Sequence, residues 1–199
     1  MSKLLKPCTR AFTWYSRNLE RRPFLVKSVS TATIVALGDV ACQKLVEKKP
    51  QLDRARTLRM MIHGGLIMGP ALSFWHPFLE RLVRVRNPQL ALLCRVAIDQ
   101  TVYAPFIVGV FFISQGVLSG CSLHEVQERL RAGYPTALLN NWKVWPISNL
   151  IIFYLLPLHY RFLLGNVVSL GWNTYLSFLN QKVTFLTTNT PTIPILLKN

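Results

Sequence analysis

Two carboxylates stand where carboxylates are expensive. Asp39 lies in the apolar run 24–43, whose only other charged group is Lys27, and Asp99 adjoins the uncharged stretch 100–124. Each has an amide at hand, Gln43 four residues after Asp39 and Gln100 beside Asp99. Ionisable groups inside an apolar membrane segment are costly and mark polar paths by default. Asp39, Gln43, Asp99 and Gln100 are therefore candidates to line a conduit, where a negative field favours cations.

Depth limits what the two acids do together. The first and third runs are separated by two crossings and so run parallel. Asp39 lies about one turn from the end of its run. Asp99 lies near the middle of its helix if that helix begins at Pro88, and near its start if it begins at Val96. A hydrogen-bonded acid pair is thus not expected, and a water-filled path touched at two levels fits better. Structural roles stay open: an intrahelical pair of Asp99 with Arg95 one turn earlier, and an interfacial carboxylate at Asp39 beside Lys44. His63, His76 and His159 are either proton relays or hydrogen-bonded interface groups.

Enzymatic constellations are absent. HExxH, GxSxG and GxxxxGK[ST] do not occur, and the glycine spacing from Gly64 to Gly69 continues into Pro70 without a phosphate-binding lysine. Cys8, Cys42, Cys94 and Cys121 show no CxxC spacing. No catalytic residue, cofactor or metal is expected.

These side chains need elements to hold them. The chain has 199 residues, 51% hydrophobic and 16% charged, with a net charge of +15. Soluble domains average about 25% charged residues, and nucleic-acid binders become this basic by adding charge rather than losing it, so no nucleic-acid contact is expected. Disorder and a disulfide scaffold are excluded by the aliphatic and aromatic content and the scattered cysteines. The run 60–79 carries no formal charge, and at about 1.5 Å per residue it spans roughly 30 Å, the hydrocarbon thickness of a bilayer.

The last third reads as a hairpin, 136–157 descending and 158–179 returning, with Lys143 inside the first arm, where it must snorkel or face a wet interior. The expectation is an all-α integral membrane protein with four transmembrane helices (24–43, 60–79, 100–124, 136–157) and a fifth apolar helix whose crossing is open. Residues 1–23 form a basic amphipathic arm, 24–182 one multi-pass domain and 183–199 a tail. Gly65/Gly69 and Gly116/Gly120 each place two small residues on one helical face, which lets backbones approach. Pro70, Pro105, Pro146 and Pro157 lie in or beside the runs and kink or end helices.

Basic residues collect at the edges: Arg17, Arg21 and Arg22 in the arm, Lys44 to Arg59 in the first loop, Arg81 to Arg95 in the second. Both faces receive them, so the positive-inside count sets no orientation. Such collars suit anionic membrane lipids, although snorkelling accounts for any single residue. Residues 1–19 hold no acid and include Lys3, Lys6, Arg10 and Arg17, a composition like that of mitochondrial import sequences. The reading is an uncleaved arm and a mitochondrial address. A peroxisomal address stays open, since the chain ends in Leu197-Lys198-Asn199 and multi-pass targeting there has no short tag.

From about Trp14 to Lys182 the motifs resemble one family. They are Arg22-Pro23, Gly38-Asp39 with Gln43, Asp53 to Arg59 (DRARTLR), Gly69-Pro70, Asp99-Gln100, Ala104-Pro105, Asn141-Trp142, Val144-Trp145-Pro146, Phe153, Pro157 to Arg161 (PLHYR) and Trp172 to Ser177 (WNTYLS). The chain is similar to the small integral membrane proteins typified by the Mpv-seventeen protein and the twenty-two-kilodalton peroxisomal membrane protein. Tyr134-Pro135 and PLHYR look most like the mitochondrial, Sym-one-like branch.

The resemblance implies a multi-pass protein of the mitochondrial inner membrane, acting as a weakly selective channel for small hydrophilic solutes in support of metabolic homeostasis and mitochondrial DNA maintenance. It implies Asp99 as the pore-associated aspartate, Arg56 as the loop arginine and Pro105 as the helix proline. Gly69, Pro70, Trp145, Pro146, Pro157, Arg161, Trp172, Asn173 and Tyr175 are its structural positions. This chain departs from the pattern at His76, Asn149 and Ile152, and the missing amide at Ile152 weakens an aqueous lining on the fourth span. The alternative is a non-transporting scaffold or assembly factor binding anionic lipid and partner complexes. A homo-oligomer or larger membrane complex is expected in either case.

Overall fold

The structure, a computed structural model, describes residues 17, 18, 21–155 and 158–189, with the side chains of 153, 158–163, 188 and 189 left out. Every element among the described residues is helical. Pro23 opens α1 (Pro23–Ala41), a position where its missing N–H has no helical acceptor to serve. A π-helical turn, Cys42–Val46, extends α1. Asp53 accepts from the Arg56 N–H to start α2 (Arg54–Ile62), which passes through the π turn His63–Met68 into α3 (Gly69–Leu82). Asn87 caps α4 (Pro88–Ile98), and the π turn Asp99–Tyr103 leads into α5 (Ala104–Leu118). Ser122 and Glu125 form a capping box on α6 (Leu123–Leu150), followed by the π turn Ile151–Leu155 and α7 (Leu158–Asn189).

The wide turns have a local cause at two places. His63–Met68 ends just before Pro70, and Asp99–Tyr103 just before Pro105. A proline cannot donate to the carbonyl four residues back and its ring crowds that carbonyl. A π turn moves the carbonyl away and keeps the helix continuous.

The joined segments make five long rods, 23–46, 54–82, 88–118, 123–155 and 158–189. Pro23–Val46 and Pro88–Leu118 are each long and apolar enough to cross a membrane, with mean hydropathies of 1.5 and 1.7. The rods close a ring in which each packs on two neighbours. Between the first two rods, Gly64, Gly65 and Gly69 rest on Val35, Ala32 and Ser28, so the rods run antiparallel. A Cβ on Gly69 would lie 2.5 Å from the Ser28 Cα, which is why only glycine fits there. The π turn brings Gly64 onto the same face as Gly69, widening the contact beyond a simple four-residue pair.

The third rod meets the second at Ser114 and His63. The fourth meets the third where Gly133 receives Phe112 and Gly116 receives Val126, and the fifth meets the fourth at Asn140 and Tyr175. The first and fifth rods close the ring side by side through Gly38 against Asn173 and Asp39 against Ser177. Residue numbers rise together across this last contact, so these two rods run parallel. Val35, Met60, Phe111, Phe112, Ala137, Trp172, Leu176 and Val183 fill the space between rods, with Trp145 and Tyr175 packed against them.

Large apolar side chains cover the outside of the ring while several amides and hydroxyls are buried within it. Leu66 is 74% exposed, as are Phe74, Phe106 and Phe185 in large part, while Gln43 is 0% exposed and Gln115, Asn141 and Ser177 are buried. Apolar surface outside and hydrogen-bonded amides inside suit a lipid solvent.

Three boundaries differ from the sequence reading. The third apolar stretch does not run to His124: α5 ends at Leu118, Gly120 turns the chain with φ of 75°, and α6 begins at Leu123. Gly120 therefore ends a helix and meets nothing within 4 Å, so Gly116/Gly120 is not a packing pair, although Gly116 alone receives Val126. The fourth rod starts well before Thr136, which places Lys143 deep along it with an exposed side chain. α7 continues through Asn189 with Val183 in the core, so the boundary drawn at Lys182 falls inside an element. Residues 1–16, Pro157 and the side chains of His159 and Arg161 lie outside the described residues.

Candidate functional site

The two acids of the apolar rods belong to separate clusters. Asp39 is 0% exposed and every lone pair has a donor. Arg56 Nε sits 2.7 Å from Oδ1, Ser177 Oγ also donates to Oδ1, and Thr57 Oγ1 and Gln43 Nε2 donate to Oδ2 at 2.6 and 2.7 Å. Gln43 in turn accepts from the Asp53 N–H through Oε1 at 2.7 Å. The expected interfacial pairing of Asp39 with Lys44 does not form: Lys44 Nζ donates to the carbonyls of Lys49 and Pro50.

Arg56, 3% exposed, divides its donors among the first rod, the fifth rod and the loop residue Glu47. Its two terminal nitrogens donate to the two Glu47 oxygens at 2.9 Å each, a bidentate fork with good geometry. Nη2 also reaches Ser177 Oγ at 2.7 Å and Cys42 Sγ at 3.4 Å. Lys49 Nζ lies 3.2 Å from Glu47, so two acids and two bases balance. Burial alone would raise the Glu47 carboxyl, but the hydrogen bonds and charge of Arg56 outweigh it and hold it below the ordinary 4.5. Such a cluster pins the first, second and fifth rods together at one end of the ring.

Asp99 is handled differently. Helix α4 begins at Pro88, so Asp99 falls inside its rod, at the first position of the π turn. Oδ1 accepts from Trp75 Nε1 at 2.8 Å and Oδ2 from Gln100 Nε2 at 2.9 Å. Gln100 Oε1 accepts from Asn141 Nδ2 at 3.1 Å, and Trp142 Nε1 donates to the Gln100 carbonyl at 2.8 Å. Asp99 thus joins the second, third and fourth rods through neutral donors. The intrahelical pair with Arg95 is not made: no ion pair joins them, and Arg95 Nε is buried without a hydrogen-bond partner. Trp75, which donates to Asp99, stands about 18 residues from Thr57 along the second rod, roughly 27 Å by helical rise, so the clusters lie far apart along the ring.

Between them the rods pack on one another through buried apolar side chains. Phe111 and Phe112 meet edge to face at 5.3 Å, His63 packs on Phe111 at 5.2 Å and shares a 2.8 Å hydrogen bond with Ser114. His63 is therefore a satisfied interior group at a contact between rods, whereas His76 is exposed. The motif residues near the fifth rod serve packing. Trp172 is buried and lies 5.3 Å from Tyr175, Asn140 donates to the Tyr175 hydroxyl, and Asn173 Nδ2 donates to the Ser169 carbonyl at 2.7 Å. Ile152 is buried, Asn149, Pro146 and Pro105 half-buried.

Several partners escaped the sequence reading. Glu47, Thr57 and Ser177 complete the Asp39 cluster; Trp75, Asn141 and Trp142 complete that of Asp99. Hydroxyls and indoles in apolar runs carry no pattern of their own. The one signal available was the requirement that a buried carboxylate find a cation, and the sequence offers Lys44, Lys48, Lys49, Arg54 and Arg56 without choosing among them.

The sequence profile of the Mpv17 / PMP22 family matches residues 116–177. The chain is 44% identical to the Gibberella zeae protein called SYM1, over 85% of this chain and 97% of that one. To the Neurospora crassa protein called sym-1 it is 42% identical, over 84% and 98%. To the human mitochondrial inner membrane protein Mpv17 it is 34% identical, over 82% and 94%. No solved structure matches the chain.

Proposed function

The chain belongs to the Mpv17 / PMP22 family, and from that premise we propose that it is a channel-like conduit, weakly selective for small hydrophilic metabolites or ions. It is a protein of the mitochondrial inner membrane. In this reading the rods 23–46, 54–82, 88–118 and 123–155 cross the bilayer, and the rod 158–189, parallel to the first, crosses with them. Through solute balance the conduit supports metabolic homeostasis and mitochondrial DNA maintenance, roles that rest on the family resemblance.

One observation carries the reading. Of the two acids in the apolar rods, Asp39 pairs with Arg56, while Asp99 accepts from Trp75 and Gln100 and makes no ion pair with a described residue. An uncompensated carboxylate in an apolar surrounding is costly unless function retains it, and its field favours cations. Phe111 and Phe112 are buried in the apolar cluster between the rods, so in this reading conduction requires that cluster to part. The test is direct. Purified protein in planar bilayers should conduct, and Asp99→Asn should shift the reversal potential; conductance indistinguishable from empty bilayers overturns the reading.

A further inference from the structure

On the outside of the ring the second and third rods leave an open groove of about 730 Å³, which shares Trp75 with the Asp99 cluster. Its walls are apolar and largely aromatic: Phe74, Trp75, Phe78, Tyr103 and Phe106 among them, with Arg81 at one end. Trp75 stacks on Tyr103 at 4.9 Å and leans on Phe78 at 5.7 Å, so the floor is a fixed aromatic surface. From Ala71 to Arg81 the groove follows the second rod for roughly 15 Å by helical rise, half of a roughly 30 Å hydrocarbon core and hence one leaflet.

The charge lies at one end. Arg81 is exposed in the last turn of α3 and makes no ion pair. Its carbonyl accepts from Arg84 Nε at 3.2 Å, and Arg86 is exposed two residues on. Glu80, exposed beside Arg81, is the one acid in this segment.

We propose that this groove is a binding site for one anionic phospholipid, its acyl chain lying on Phe74, Trp75, Phe78 and Phe106 and its phosphate held by Arg81, Arg84 and Arg86. An apolar trough one leaflet long with cations at the end where the helix leaves the hydrocarbon matches that amphiphile in length, polarity and charge order. A zwitterionic lipid fills the trough as well but neutralises its own phosphate. The site is independent of the conduit reading, since nothing in it requires solute to pass through the ring.

The experiment uses the intact chain in nanodiscs of phosphatidylcholine with a minority of phosphatidylglycerol, in which either the phosphatidylglycerol or an equal amount of the phosphatidylcholine is brominated. Bromine on the acyl chain quenches tryptophan at contact range, and the difference between wild type and Trp75→Phe isolates Trp75 from the other tryptophans. Brominated phosphatidylglycerol is expected to quench Trp75 more strongly than brominated phosphatidylcholine at equal content. Each arginine changed to glutamine should lower the preference about fivefold. Native mass spectra of the released protein give a second readout, one retained anionic lipid in wild type and none in the Arg81→Gln, Arg84→Gln, Arg86→Gln variant. Equal quenching by both lipids means a groove filled by bulk lipid and overturns the proposal. Absence of quenching by either, with Phe78→Cys cross-linking to a second copy, means the groove is a subunit contact and overturns it too.

Discussion

Arg56 donates to Ser177 at 2.7 Å across 121 positions of the chain, and Ser177 passes the contact to Asp39. Arg56, expected in a loop, lies in the first turn of α2 and thereby fixes the first rod to the last, which are the two that close the ring. The cluster is a structural clamp more than a pathway, because the acid at its centre has no lone pair left for a solute.

Breaking that clamp from either side should destabilise. Arg56→Gln leaves the buried Asp39 charge without its cation, a loss of about 3–5 kcal/mol, and Asp39→Asn should cost less because Arg56 keeps its fork to Glu47. Arg56→Lys should rescue little, since a lysine keeps the charge but not the fork to Glu47. Thermal unfolding in detergent checks this, and a double-mutant cycle should show strong coupling; additive losses would mean the two residues act separately.

Acid should loosen the same end of the ring. The Glu47 carboxyl sits below its ordinary value when folded, so its stabilisation is complete above the ordinary carboxylate value and disappears as pH falls through the lower folded one. Glu47→Gln should lower stability at neutral pH and flatten the acid limb of the stability profile. A profile with the wild-type slope would place the acid-sensitive group elsewhere.

Backbone approach makes a third prediction. Gly69→Leu pushes a side chain into the Ser28 backbone and should cost about 1–3 kcal/mol by overpacking. Gly165→Ala meets nothing within 4 Å, sits inside α7, and should be neutral or stabilising by up to about 1 kcal/mol. Equal melting temperatures for the two variants would show that the contact between the first and second rods does not hold the bundle.

What was legible in the sequence follows from what each signal needs. Asp39 and Asp99 stood out because a charge in an apolar run is visible without a fold, and Gly65/Gly69 because a stripe on one helix needs only local geometry. Gly116/Gly120 read the same way and differed, since the Ser122-x-x-Glu125 box just beyond already marked a new helix start. Ser177, Thr57 and Trp75 could not be read, because their roles exist only once distant rods meet. The π turns leave no apolar periodicity; Pro70 and Pro105 announced a disturbance but not its form. The burial of Phe111 and Phe112 between the rods was equally hidden, since phenylalanines on a span look alike whether they face lipid or a neighbouring rod.

Trp75 tests the second cluster. Trp75→Phe removes the donor on Asp99 Oδ1 while keeping an aromatic ring against Tyr103, and should cost about 1–3 kcal/mol if the carboxylate stays charged and unsatisfied. Asp99→Asn in the same background should recover part of that loss, because a neutral amide tolerates the vacancy better. Unfolding temperatures of the two variants decide it; a double variant as unstable as the sum of its parts would sever Trp75 from Asp99.

The central claim is that Asp99 carries solute selectivity while Asp39 carries structure. Solute flux into proteoliposomes, measured with wild type, Asp99→Asn and empty liposomes side by side, tests it most directly. The account predicts flux above the empty control in wild type, and a change in cation preference in Asp99→Asn at unchanged folding. Flux equal to that of empty liposomes, or an Asp99→Asn variant with wild-type selectivity, would contradict it.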